Sequence, residues 1–432
     1  MKRDIYQQLV DWKNSPARKP LMLYGARQVG KTYILKELGR REFENLVYIN
    51  CYKNPQVEAI FAQDVDIKRI VRDLGALAGS PILPEKSLLF LDEVQEVPDV
   101  VAALKYFCED ARSLCVAAAG SLLGVMNMEG IAFPTGKVDI LEMYPMTFHE
   151  FLEAMGQELK VELLKDPKAR TSVNALASGY TELLRQYYYV GGMPEAVKEY
   201  IDSGDLQRVR KIQKDILTAY DSDIAKHAGK DAVKARMVFE SIPSQLAREN
   251  KKFIYGAVRP GARASRFEDA IQWLVDARIV YKVCRATKAA QPLKFYLDLD
   301  VFKLFFIDVG LLGAAVNTEG SQVLIGNSIF SEYKGAFTEN YVLSQLKTLQ
   351  GGELAYYAKE GSSLEIDFLF QYRSQLIPIE VKAEENVKSK SFRQFLTVDH
   401  ADSGMKGIRF LMKGFQDQGW MENHPLFSLP AL

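Results

Sequence analysis

The sequence predicts an α/β protein: a parallel sheet with crossover helices in the first third, then a helical and hairpin segment, then a second α/β region. Three observations predict it. From Leu21 to about Leu152, short apolar runs (LMLYG, LVYIN, SLLFLD, LCVAAAG) alternate with helix-like stretches, as strands buried on both faces of a parallel sheet do. A glycine-rich turn, Gly25–Thr32, sits between the first run and a helical stretch. Near the C-terminus, two acid-bearing runs, Glu365–Gln371 and Leu376–Lys382, read as adjacent strands with a short turn between them.

Composition bounds the classes. At about 100–200 residues per domain, a chain of 432 residues divides into two to four domains. With 48% hydrophobic, 25% charged and 11% aromatic residues it is an ordinary globular sequence, which excludes disorder and collagen-like repeats. Lys+Arg and Asp+Glu are both 55, so no global field attracts a polyanion and a nucleic-acid contact has to come from a local patch. The cysteines, Cys51, Cys108, Cys115 and Cys284, form no CxxC pair, and the dispersed histidines do not complete a zinc site. Cys108 and Cys115 read as packing residues. The N-terminus MKRDIYQQLVDWKNS lacks an apolar core, and no run approaches the ~18 residues that span a bilayer. The expectation is a soluble protein of the reducing cytoplasm without membrane contact.

Taken in order, residues 1–152 form the sheet domain. Residues 153–205 are mainly helical, a lid or joint with Tyr187, Tyr188 and Tyr189 ahead of the breaker Gly191-Gly192-Met193-Pro194. Tyrosines in that position pack a joint or stack on a base. Residues 206–316 carry helices at Leu206–Tyr220, Ala232–Arg248 and Arg266–Asp276, then strands at Ile279–Cys284 and Leu304–Asp308. That is a winged-helix order. Residues 317–432 open with a helix at Phe330–Leu349, followed by strands near Glu353–Ala358, Glu365–Gln371 and Leu376–Lys382 and a helix or two beyond.

Gly25-Ala26-Arg27-Gln28-Val29-Gly30-Lys31-Thr32 matches GxxxxGK[ST] in full, between an apolar strand and a helix. The glycines let backbone N–H groups wrap phosphates, and the helix N-terminus adds positive dipole character. Lys31 is placed to reach the β- and γ-phosphates of ATP and Thr32 to ligate Mg²⁺. A chance glycine-rich turn competes, and the run Ser87-Leu88-Leu89-Phe90-Leu91-Asp92-Glu93 argues against it. A buried strand delivers its acids at the carboxyl edge of the sheet, where ligands sit. Asp92 is expected in the Mg²⁺ shell and Glu93 as the group that orients and deprotonates water.

Together GARQVGKT, FLDEVQEVPDVVAALKYF, AAGSLLGV, FPTGKVDILEMYPMTFHEFL and YYYVGGMPEAV resemble a widespread prokaryotic AAA-superfamily ATPase family whose members carry a C-terminal domain of unknown function. The resemblance implies ATP hydrolysis, a homo-oligomer, and a γ-phosphate sensor at Ser121, which reads equally as a turn or N-cap serine. Relatives commonly have Gly-Arg where this chain has Gly136-Lys137, and lysine lacks the planar bidentate fork.

In the last region, period-two spacing puts Glu380 and Lys382 on one face of a strand. Asp367 on the neighbouring strand and Glu339 on the preceding helix converge with them. This D…ExK set resembles the restriction-endonuclease-like fold. The resemblance implies a second divalent cation at Asp367 and Glu380, with Lys382 positioning water and Gln394 nearby. The competing reading is a pair of amphipathic strands whose charges neutralise one another.

Between Lys230 and Lys288 the basic residues outnumber the acids, and Arg259, Arg263 and Arg266 crowd the entrance to a helix. Such a patch suits DNA or RNA phosphates, or a solvated face. The functional expectation is Mg²⁺-dependent ATP hydrolysis coupled to a nucleic-acid-binding or nuclease-like C-terminal domain. The alternative is a nucleotide-dependent switch whose C-terminal domain recognises a protein partner without catalysis.

Overall fold

The computed structural model describes residues 1–120, 134–248, 250–318, 328–359, 361–362, 364–383, 389–401 and 404–431, with side chains of the helix from Ser328 described from residue 334 onward. Two units emerge from its contacts. The first is Lys2–Tyr144 with Asp276–Arg278; the second is Pro145–Val275 with Ile279–Leu432.

The first unit begins with α1 (Ile5–Asn14) and β1 (Leu21–Tyr24), then α2 (Lys31–Glu42), β2 (Asn45–Asn50), α3 (Pro55–Gln63) and α4 (Ile67–Ala78). It continues through β3 (Ser87–Asp92), α5 (Pro98–Asp110), β4 (Cys115–Ala119) and β5 (Asp139–Glu142). All pairings are parallel, in the order β2-β3-β4-β1-β5. This is the parallel sheet that the alternation of apolar runs predicts. Every residue of β3 and β4 is buried, as strands covered by crossover helices on both faces must be. Helix starts follow local chemistry: Asn54 accepts from the Val57 N–H ahead of α3, and Asp66 accepts from the Lys68 and Arg69 N–H groups ahead of α4. Val47, Ile49, Leu89, Leu91, Leu104 and Phe107 join one core, each such side chain contributing about 1.5–3 kcal/mol on burial.

In the second unit the helix Phe148–Ala154 starts with a capping box between Thr147 and Glu150. The helix Ala177–Val190 ends in Tyr187, Tyr188 and Tyr189, all buried. Tyr188 packs on Tyr341 with ring centroids 5.2 Å apart, and Tyr187 donates to the Met146 carbonyl. Of the two roles open to these tyrosines, their burial inside the second unit favours packing over stacking on a base. Gly191 follows at φ +71, and a Cβ there would lie 2.2 Å from Asp308 Oδ1, so the break in the helix needs glycine. Asp308 accepts from Gly192 N at 2.6 Å and Leu311 N at 2.9 Å.

The first predicted helix of the middle segment extends to His227, the second spans Ala232–Leu246 and the third Ala264–Asp276, with a one-turn helix at Tyr255–Val258 between the last two. The following strands, β6 (Val280–Ala286) and β7 (Leu297–Phe306), pair antiparallel, but β6 also pairs in parallel with β8 (Glu353–Ala358). Beyond β8 come β9 (Glu365–Tyr372), β10 (Gln375–Val381), β11 (Gly407–Leu411), β12 (Gln416–Asp417) and β13 (Met421–Pro425). The resulting eight-stranded mixed sheet runs β12-β13-β11-β10-β9-β8-β6-β7. The hairpin read as a wing is therefore part of the C-terminal sheet, and the boundary at 316/317 falls inside one folded unit. The pairing of Arg285 with Tyr356 that causes this leaves no local trace in the sequence. Among the described residues no helix is long and apolar enough to cross a membrane.

Candidate functional site

β1 leads directly into the loop and α2 leaves it. Gly25 adopts φ +148, and a Cβ there would sit 2.2 Å from the Met143 carbonyl oxygen. Gly30 (φ +101) precedes α2 with no side chain capping the helix, so the first N–H groups of α2 are directed at the loop. Ala26 and Val29 are buried, Arg27 and Gln28 exposed. The Lys31 ammonium folds over the loop and donates to the carbonyls of Gly25 at 2.9 Å and Ala26 at 2.8 Å. Burial pulls its pKa down to about 8, while Glu93 and Asp92 act in the other direction.

The loop meets β3 through Asp92, which is 4% exposed. Thr32 Oγ1 donates to Asp92 Oδ2 at 2.8 Å, Tyr48 donates to the same oxygen at 3.2 Å, and the Glu93 N–H donates to Oδ1 at 3.1 Å. Burial raises the Asp92 pKa and Glu93 adds to the rise; the Thr32 and Tyr48 hydroxyls oppose it. Glu93 turns the chain at φ 53 and accepts from Gln95 Nε2 at 2.5 Å. A left-handed non-glycine residue here separates the directions of two adjacent carboxylates.

The residues fit ATP and a divalent cation. A loop cradle that a Cβ would fill, an uncapped helix N-terminus and a lysine answer to the phosphates. A hydroxyl and a carboxylate joined at 2.8 Å supply the hard oxygens that Mg²⁺ takes alongside phosphate. Tyr48 is a neighbour that motif reading misses; its signal is a tyrosine on β2, paired with Phe90 two positions before Asp92. Ser121 lies outside the described residues. Lys137 is engaged by Glu109 at 2.8 Å.

In the second unit, β9, β10 and the helix Ser328–Lys347 bring Asp367, Glu380 and Glu339 into one region. Asp367 Oδ2 accepts from the Val381 N–H at 2.7 Å, and Lys382 pairs with Glu380 at 3.0 Å. Two lysines from outside the motif complete the set. Lys251, between the helices Ala232–Leu246 and Tyr255–Val258, pairs with Glu339, and Lys303 of β7 donates to Glu365 Oε1 at 2.6 Å. Burial opposes the charge on Lys303, but Glu339, Glu365 and Asp367 outweigh it and hold its pKa above the usual lysine value. Burial and Glu339 push the Asp367 carboxyl up, against Lys303 and Lys251. Among the described residues no three His, Cys, Asp or Glu side chains converge to hold a metal ion. Asp367 has one oxygen turned to a backbone amide and Glu380 one turned to a lysine, while Glu380 Oε2 and Glu339 Oε2 are buried without a hydrogen-bond partner. Gln394 is exposed on the helix Lys390–Gln394.

The basic segment is partly neutralised within the fold. Arg236 pairs with Asp221, Lys234 with Asp231, Arg285 with Asp298 and Arg278 with Glu142. Arg259, Arg263 and Arg266 are exposed at the turn into the helix Ala264–Asp276.

Comparison with known family models matches three segments of the chain. Residues 17–152 match the AAA domain family, and residues 334–432 match a domain of unknown function, DUF4143. Residues 181–322 match another domain of unknown function, DUF8612. No curated protein matches the chain. Among solved structures, the Aeropyrum pernix Orc1 protein in complex with DNA is 15% identical, with a TM-score of 0.27, covering 73% of this chain and 93% of that one. Cdc6p from Pyrobaculum aerophilum is 13% identical at a TM-score of 0.27, covering 73% and 94%. Unliganded Pif1 from Bacteroides sp. is 16% identical at 0.21, covering 42% and 51%. The loop, the acid pair and the five-stranded parallel sheet all lie within the residues that match the AAA domain family, ahead of the segment that matches DUF4143.

Proposed function

We propose that the chain binds ATP with Mg²⁺ and hydrolyses it. The backbone of Gly25, Ala26, Arg27, Gln28, Val29 and Gly30 and the Lys31 ammonium hold the phosphates. Thr32 and Asp92 hold the cation, and Glu93 takes a proton from the attacking water. Bound Mg²⁺ supplies charge neutralisation at the phosphate oxygens. The observation that carries this reading is the Thr32–Asp92 hydrogen bond at 2.8 Å, which joins the end of the loop to the end of β3. Ser121 at the γ-phosphate and a homo-oligomer belong to the same reading, and the free thiols Cys51, Cys108, Cys115 and Cys284 suit a reducing cytoplasm.

Phosphate release with ATP and Mg²⁺ tests it. Wild type turns over and Lys31→Ala and Glu93→Gln turn over at least about 10²-fold more slowly; a wild type that neither binds nor hydrolyses ATP defeats the reading.

We further propose that turnover controls a nucleic-acid contact through Arg259, Arg263 and Arg266, whose exposure supports phosphate binding. The C-terminal domain acts in this scheme as a recognition module without cleavage, a reading favoured by the pairing of Glu339 and Glu365 with lysines. A nucleotide-dependent switch with a protein partner shares that noncatalytic domain and is distinguished by ATPase activity that nucleic acid leaves unchanged.

A further inference from the structure

We propose that Arg3 is a positioning residue for the phosphate loop: its guanidinium fixes the Val29–Gly30 peptide from outside the motif, so that the Gly30 N–H is held toward the phosphates. This deepens the ATP-binding reading and rests on it. Arg3 lies just ahead of α1, where its own carbonyl accepts from the Tyr6 N–H at 2.9 Å. Its side chain is turned inward, leaving the residue 8% exposed. There Nη1 donates to the Val29 carbonyl at 2.9 Å and Nη2 to the Tyr144 carbonyl at 2.6 Å. One planar fork thus joins the middle of the loop to the segment that follows β5.

Val29 is buried and stands between two residues of positive φ, Gln28 at 67 and Gly30 at 101. For glutamine that conformation lasts only where neighbouring contacts hold it. In a trans peptide the C=O and the next N–H point to opposite sides, so a Val29 carbonyl held on Arg3 commits the Gly30 N–H to the other side. Swung the opposite way, the carbonyl would meet a phosphate with its negative end. The second half of the fork is anchored on a network: the Tyr144 and Tyr24 hydroxyls donate to Glu142 Oε2 at 2.9 and 2.8 Å, and Arg278 Nε lies 3.0 Å from Glu142 Oε1. The Met143 N–H also donates to the Tyr24 carbonyl at 2.8 Å, directly ahead of Gly25. Residues 142–144 therefore brace the loop at its entry through Tyr24 and at its middle through Arg3. A lysine at position 3 lacks the rigid planar fork that meets two carbonyls at once.

The test is steady-state phosphate release at varied ATP with Mg²⁺, beside urea unfolding, for the full chain as wild type, Arg3→Lys and Arg3→Met. Loop amides contact the phosphates in the ground state and the transition state alike, so losing the brace is expected to raise KM and leave kcat nearly unchanged. Arg3→Met is expected to raise KM by about 10-fold or more, as loss of hydrogen bonds from a charged donor does, and Arg3→Lys by a smaller factor. A folded Arg3→Met that keeps the wild-type KM, whatever its stability, overturns the proposal, and so does a loss confined to kcat. If Arg3→Met does not fold, Arg3→Lys, which keeps the charge, decides by the same criterion. A wild type that neither binds nor hydrolyses ATP defeats the ATP-binding reading itself, whereas an active wild type matched by its Arg3 variants defeats only the claim about Arg3.

Discussion

Thr32 and Asp92, 60 positions apart, meet through a hydrogen bond of 2.8 Å from Thr32 Oγ1 to Asp92 Oδ2. The contact joins the first turn of α2 to the carboxyl end of β3, the edge where open α/β sheets take their ligands. It also aligns two hard oxygens before any cation is bound, which lowers the ordering cost of binding one.

Lys31 is the point charge of the loop. Lys31→Ala is expected to reduce ATP turnover by about 10²-fold or more while leaving the circular dichroism spectrum unchanged, because the lysine's hydrogen bonds go to the loop carbonyls of Gly25 and Ala26 and not to a helix or strand. Equal turnover by the variant removes Lys31 from the site.

Glu93→Gln separates binding from chemistry. The amide keeps the size of the side chain but cannot accept a proton from water, so nucleotide affinity is expected within a few-fold of wild type and turnover lower by about 10²–10⁴-fold. Fluorescent-nucleotide titration beside phosphate release measures both.

Two glycines are predicted to be intolerant for different reasons. Gly25→Ala puts a Cβ 2.2 Å from the Met143 carbonyl oxygen at φ +148, moving the loop against β5 and weakening nucleotide binding. Gly191→Ala drives a Cβ into Asp308 in the second unit, far along the chain from the loop. It is expected to cost about 2–4 kcal/mol of stability, read by urea unfolding, and to leave the nucleotide site intact.

Asp308 gives the second unit a pH dependence of known sign. Burial raises its carboxyl to about 6, opposed by the N–H groups of Gly192, Leu311 and Gly310 and the charge of Arg210. An unfolded aspartate titrates near ~3.9, so between the two values the native state binds the extra proton. Its contribution to stability is therefore full below about pH 4 and lost as pH rises through about 6. Asp308→Asn removes this dependence. Relative to wild type, the variant is expected to improve by about 2–3 kcal/mol between pH 4 and pH 7, measured by urea unfolding at several pH values.

The exposed arginines at the helix entrance are predicted to act through charge alone. Replacing Arg259, Arg263 and Arg266 with glutamine should weaken binding of any DNA duplex about equally and flatten its salt dependence by up to about 3 in the log–log slope. Filter binding across a salt series reads both.

The phosphate loop and the acid pair were legible because their chemistry is written in contiguous residues, Gly25–Thr32 and Asp92–Glu93. The parallel sheet was legible because β3 and β4 are apolar throughout. Long-range pairing was not. Nothing local in Val280–Ala286 says that β6 will add to β8, and short β11 and β13 were lost among expected helices because five-residue runs such as Gly407–Leu411 carry too little periodicity. The lysines that pair with the C-terminal acids lie outside the D…ExK motif. Lys303 did leave a signal, a single charge inside the apolar run Val301–Phe306, which a buried strand accepts only with a partner.

The proposal that Thr32 and Asp92 share a cation is tested most directly by ATP affinity with and without Mg²⁺ for the wild type, Thr32→Val, Asp92→Asn and the double variant. Mg²⁺ should tighten ATP binding to the wild type, and each single substitution should abolish most of that gain, with little further loss in the double variant. A Mg²⁺ effect that persists in both single variants, or a wild type that binds no ATP, contradicts the account.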